Sequence, residues 1–196
     1  SAQAFIGANL AGTYSDMGEV DAGLLLAEES TALNRKTGNL HFLALSLIAL
    51  GRIHAVFGDW DKSENLLGEG LALARKMNNA VAIDWASSNI GFLLIQRGEY
   101  AKARDFARKA IASSEKAGAR VWQMGLLTQI VRASIALGDL DEAEVQLDKL
   151  HQMAQQSREP GMIGQATRLK ATLLQAQKKY DESIATFEMA LQAAEG

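Results

Sequence analysis

Apolar residues along this chain recur at helical spacing, and each helical run stops at a glycine and resumes directly after it. The interruptions are regular. Gly18-Glu19-Val20-Asp21, Gly58-Asp59-Trp60-Asp61, Gly98-Glu99-Tyr100-Ala101 and Gly138-Asp139-Leu140-Asp141 follow one another with a period of about 40 residues. Lys178-Lys179-Tyr180-Asp181 continues the series without its glycine. Five copies without insertion result, with bounds near 1–38, 39–78, 79–118, 119–158 and 159–196.

Each copy reads as a helix hairpin. The glycine suits the left-handed conformation that ends the first helix, and the next residue, Asp59 or Asp139, can cap the second by accepting orphan amide bonds. Glu142 stands three residues after Asp139, as a capping box requires. The second turn of each copy is marked by Thr37-Gly38-Asn39, Met77-Asn78-Asn79, Lys116-Ala117-Gly118 and Ser157-Arg158-Glu159, after which Pro160 takes a first helical position. The predicted helices are 2–17, 19–36, 40–57, 60–77, 80–97, 100–117, 120–137, 140–157, 160–177 and 180–194. Ten helices leave no room for strands. No Pro-, Ser- or Gly-rich linker breaks the register, so the expectation is a single all-α domain.

The residues at which the copies agree resemble the tetratricopeptide repeat (TPR), with its large residue, Leu-Gly and aromatic on the first helix and small and large residues on the second. The second copy has Leu47, Leu50-Gly51, His54, Ser63 and Leu67; the third has Ser87, Ile90-Gly91, Leu94, Ala103 and Ala107. The first has Gly7, Leu10-Ala11, Tyr14, Gly23 and Ala27, and the fourth Leu127, Ile130, Ala143 and Leu147. Small residues at Ala11, Gly51, Gly91 and Ala171 suit the closest approach of paired helices, and only Val131 departs. In the fifth copy Lys170 stands where leucine is expected, which makes a looser hairpin. The unit exceeds the usual 34 residues, lengthening its two helices by roughly 9 Å in total. Units of this length are similar to the sensor regions of bacterial MalT-like regulators and to the repeats of spindle-orientation adaptors. HEAT-type repeats are the minor alternative, since they lack the Gly-acidic-aromatic turn. The resemblance implies a right-handed alpha-alpha superhelix of five TPR-like helix hairpins.

It also implies a binding groove on the concave surface made by successive first helices. The positions it assigns there include Asn9, Arg52, Trp85, Asn89, Phe92, Gln129, Arg132 and Arg168, with Ile48, Ser88, Thr128 and Thr172 among their neighbours. Arginines pair with carboxylates and asparagine can hold a ligand backbone, so this set suits an extended or helical segment with acidic and apolar side chains. The competing reading makes the arginines solvated, Trp85 and Phe92 core, and Trp60 and Tyr100 packing residues.

Composition narrows the function. There is no cysteine, which excludes disulfides and thiolate metal sites. A net charge of -3 with scattered basic residues argues against a direct nucleic acid ligand. The longest apolar run, in Leu43–Leu50, is interrupted by Ser46 and stops at Gly51-Arg52, which argues against a membrane span. His41, His54 and His151 fall at unrelated positions of different copies, so neither a metal site nor a catalytic set is expected, and His54 stands in for a core aromatic. Carboxylate pairs such as Glu28-Glu29, Asp141-Glu142 and Asp181-Glu182 read as solvated. Ser113-Ser114-Glu115-Lys116 and Gly68-Glu69-Gly70 lack the partner motifs of acyl-transfer and dinucleotide sites. The chain is therefore expected to be a cytoplasmic, non-enzymatic piece of a longer protein that needs no cofactor and binds a protein or peptide. A small-inducer sensor and a structural spacer are the alternatives, the latter including a dimer through apolar ends such as Ile184, Phe187 and Leu191.

Overall fold

The computed structural model describes residues 20–117 and 123–195. These form α1 (Val20–Thr37), α2 (Leu40–Phe57), α3 (Trp60–Lys76), α4 (Ala80–Gln96), α5 (Tyr100–Ala117), α6 (Gln123–Leu137), α7 (Leu140–Ser157), α8 (Pro160–Ala176) and α9 (Tyr180–Glu195), with no strand among the described residues. The bounds follow the repeat reading closely. The helix expected over 2–17, and Asn9 with it, lies outside the described residues.

The helix ends have a common physical cause. Gly58, Gly98 and Gly138 end their helices with φ of 81°, 73° and 77°, and Lys178 takes φ 64° at the place where the fifth glycine is missing. The second turns use the same device, with φ of 67° at Gly38, 50° at Asn78 and 58° at Arg158. Left-handed residues thus stand at both kinds of turn, evenly spaced and twice as frequent as the glycine motif over most of the described chain. The next helix is then started by a side-chain cap. Asn39 accepts from the amide of Phe42, Asn79 from Ala82 and Asp139 from Glu142. Asp59 differs: its carboxylate makes no capping bond to α3.

The chain divides into two compact units, 1–97 and 98–196. In the first, α1 to α4 pack in sequence and α2 also meets α4. The α2 sequence is apolar nearly all round because it is enclosed by α1, α3 and α4. By length and composition it could cross a membrane, a property missed when only uninterrupted apolar residues are considered. Most of it is buried inside the fold, as in a core helix. Gly51 marks a close approach within the second hairpin, where an added Cβ would stand 2.8 Å from Leu67 Cγ and 3.2 Å from its backbone nitrogen, and Gly70 marks another against Ile48 and the Ala44 carbonyl.

In the second unit α5 to α9 follow one another and α6 meets α8. Its main core joins Leu127 and Val131 of α6 with Ala143, Leu147, Leu150 and Ala154 of α7 and Ala166, Leu169 and Leu173 of α8. The last hairpin is tied where buried Ser183 donates its hydroxyl hydrogen to the Ala171 carbonyl at 2.8 Å.

Candidate binding faces on the first helices

Packing on both sides leaves each first helix a narrow strip in contact with solvent. Along α2 the strip runs through Leu45, Arg52 and Val56, and along α4 through Val81, Trp85, Ser88, Phe92 and Gln96. These give the first unit a largely apolar face. In the second unit the strip holds Gly125, Arg132 and Ala136 on α6, and Gly161, Gln165, Arg168 and Thr172 on α8. Here small residues surround two arginines.

The expected site residues sort accordingly. Arg52, Trp85, Phe92 and Arg132 are half-buried strip residues, and Arg168 is exposed. Asn89 and Gln129, expected on the groove, are instead buried, at 7% and 5% exposure. Asn89 donates its side-chain amide to the Trp85 carbonyl at 2.8 Å, which leaves it engaged within its own helix. Ile48 and Thr128 are buried too, and Ile48 packs where a Cβ on Gly70 would meet it. The repeat register carried the signal for this correction. Ala49 and Leu169 share the row of Asn89 and Gln129, and a row that accepts alanine and leucine faces inward. Trp60, expected to be packed, is 40% exposed.

Charge is divided between the two kinds of helix. Among the described residues, α2, α4, α6 and α8 contain one carboxylate, Asp84, and it is buried. Arg52, Arg132, Arg168 and Lys170 supply these helices with cations only. Burial, and then the neighbouring Arg168 cation, hold the pKa of Arg132 below its ordinary value, with Tyr100 opposing. Two guanidinium groups on the packed helices α6 and α8 thereby create a local positive field.

The second helices carry the acids, and many of these are already paired. Arg35 meets Glu69 at 3.0 Å, Lys62 lies 3.9 Å from Glu28, and Arg97 at the end of the third copy's first helix reaches Asp61 at 2.9 Å. In the second unit Arg104 bonds to Asp139 at 2.9 Å, while Arg108 grips both oxygens of Glu142. Glu142 also accepts from Ser134 and is largely covered, so it is neither solvated nor the closing half of a capping box.

The histidines remain separate. His41 Nδ1 lies 3.2 Å from Asn79 Nδ2, His54 lies 3.5 Å from Asp59, and His151 feels Lys170 and Asp148. Among the described residues no group of three or more His, Asp or Glu could hold a metal ion. A cleft of about 440 Å³ in the second unit is lined by Arg108, Leu127, Ile130, Gln146, Lys149 and Met153, among others. Its arginine is the one already held by Glu142.

Comparison with known proteins adds to this geometry. The family described as the MalT-like TPR region matches residues 1–196. Two crystal structures of nearly identical TPR-like repeats, from a candidate kinesin light chain of Podosopora anserina, are similar in fold. One has a TM-score of 0.68 at 17% identity, covering 98% of this chain and 96% of that one. The other has a TM-score of 0.65 at 18% identity, covering 96% and 93%. The outer dynein arm-docking complex subunit 4 of Xenopus laevis is 23% identical over 122 residues, or 62% of this chain. The chain spans 22% of that relative's length.

Proposed function

Because this chain belongs to the MalT-like TPR family over residues 1–196, we propose that it acts without catalysis, binding an acidic segment of a partner protein on its first helices as a sensor or regulatory region of a cytoplasmic multidomain protein. The observation that carries the reading is the charge division. The described first helices carry Arg52 and Arg132 on strips with no exposed carboxylate, while several acids on or at the start of the second helices lie in ion pairs. Carboxylates of a partner would meet cations there, and Trp85 and Phe92 offer apolar contact beside Arg52 in the first unit. A docking-complex subunit among the relatives agrees with a protein partner.

Peptide-display selection against the full chain tests this reading. Enrichment of Asp- and Glu-rich peptides, lost in a folded Arg52→Glu/Arg132→Glu variant, is the expected result. Selection without acidic bias, or equal retention by the variant, would remove the charge argument.

A further inference from the structure

The cleft of about 440 Å³ among α5, α6 and α7 is polar where the same places in other repeats are apolar. Gln123 of α6 lines it, and Leu43, Ile83 and Ile163 take that position in the second, third and fifth repeats. Gln146 of α7 lines it too, where Leu26, Leu66 and Phe106 stand in the three repeats before. In the first unit Leu43 is buried and Leu66 packs against Leu50 and Ile53, so leucines at these places serve the core. Gln123 is just as enclosed, at 8% exposure, yet its side chain makes no hydrogen bond among the described residues. A buried amide without a partner opposes folding, and such exceptions gather at functional sites.

The hairpin sets the order of groups along the cleft. Counted from Gly138, Ile130 and Gln146 lie eight residues away, Leu127 and Lys149 eleven, and Gln123 and Met153 fifteen. An amide therefore stands at each end, about 10 Å apart at about 1.5 Å per residue, with the buried side chains of Leu127 and Ile130 between them. Lys149 lies one helical turn from Gln146 on the same face of α7. No acid is among the described lining residues. The other cation there, Arg108, is held by both oxygens of Glu142, whereas Lys149 forms no ion pair among the described residues. One uncommitted positive charge matches a monoanion, and the volume suits a small molecule.

We propose that this cleft binds a small molecule carrying one carboxylate and one hydroxyl at opposite ends of an apolar chain. The carboxylate accepts hydrogen bonds from Lys149 and Gln146, and the chain lies on Leu127 and Ile130. The hydroxyl meets Gln123, whose amide can both donate and accept. Gln123, Leu127 and Ile130 share the face of α6 opposite Gly125, Arg132 and Ala136, so the cleft is separate from the first-helix strip.

Omega-hydroxyoctanoate spans the two ends and serves as the probe, with binding to the full chain measured by equilibrium dialysis. Saturable binding to a single site is expected. Octanoate, which lacks the hydroxyl, and the terminal diol of the same length, which lacks the charge, should each bind about tenfold more weakly. Gln123→Leu installs the residue of the second repeat and should bind octanoate and omega-hydroxyoctanoate alike, a loss of discrimination that a packing role alone would not produce. Lys149→Glu should weaken both carboxylates about tenfold and leave the diol unaffected. Lys149 is exposed, so this variant decides the matter even where Gln123→Leu disturbs the fold, which circular dichroism checks. No saturable binding of omega-hydroxyoctanoate, equal binding of all three probes, or discrimination unchanged in both folded variants would each overturn the proposal.

Discussion

Nδ1 of His54 lies 3.5 Å from Oδ2 of Asp59, so the carboxylate at the head of α3 turns back to the end of α2 instead of capping its own helix. His54 is 6% exposed, and its Nε2 has no hydrogen-bond partner among the described residues. Burial and then Lys62 hold its pKa below 6.5, outweighing the opposing pull of Asp59 and Glu28. His151 is depressed in the same direction, chiefly by burial.

Stability should consequently fall in mild acid. Both folded-state values are depressed, so the unfolded chain binds more protons as pH drops below about 6.5. The stability due to these neutral histidines is complete above that value and is lost as pH falls through the folded pKa values. The melting temperature is expected to drop between neutral pH and the low end of this window. His54→Leu, which installs the residue found at Leu94 and Leu174, should make the drop smaller, with His151 retaining its share. An unchanged pH slope in the variant would refute this assignment.

Gly51→Ala and Gly68→Ala should have opposite effects. The new methyl at position 51 meets Leu67 side chain and backbone, and such overpacking costs about 1–3 kcal/mol. At Gly68 nothing lies within 4 Å, so alanine should add about 0.5–1 kcal/mol through helix propensity. Urea midpoints of the two variants moving in the same direction would contradict the packing described here.

Two serines at equivalent places in their hairpins provide another contrast. Ser183 holds the Ala171 carbonyl, whereas the buried hydroxyl of Ser63 has no partner among the described residues. Ser183→Ala should destabilise by about 1 kcal/mol, while Ser63→Ala, matching Ala103 and Ala143, should be neutral or stabilising. Thermal unfolding of both variants measures the difference directly.

Lys178 occupies a left-handed turn that glycine fills at Gly58, Gly98 and Gly138. Lys178→Gly should raise stability by about 1 kcal/mol, the cost of holding a side chain in that conformation less the extra chain entropy of glycine. A lower urea midpoint would show that the lysine side chain contributes more than its backbone strain.

Legibility in the sequence depended on how each feature is encoded. The hairpin turns were legible because a left-handed residue favours glycine or asparagine, and Gly58 and Asn78 appear in the chain as such. Helix bounds followed from those turns. The facing of polar residues was not legible in the same way. Asn89 and Gln129 look like surface groups, and only their alignment with Ala49 and Leu169 reveals an inward row. Glu142 resembled a capping residue because its local spacing is correct, yet its partners Arg104 and Arg108 lie on a different helix. Lys170 stands where leucine is expected, a departure whose electrostatic effect on His151 no local sequence pattern displays.

The even spacing of left-handed residues also bears on how such a chain can change its length. Loss or duplication of one whole repeat through unequal recombination would bring the sequence back to the same kind of turn, with the same alternation of enclosed and amphipathic helices. A change of half a repeat would keep the turns but exchange the two helix types, placing charged residues where α2 is enclosed. Whole hairpins are therefore the units in which this sequence can be lengthened or trimmed by descent, and half-hairpins are not.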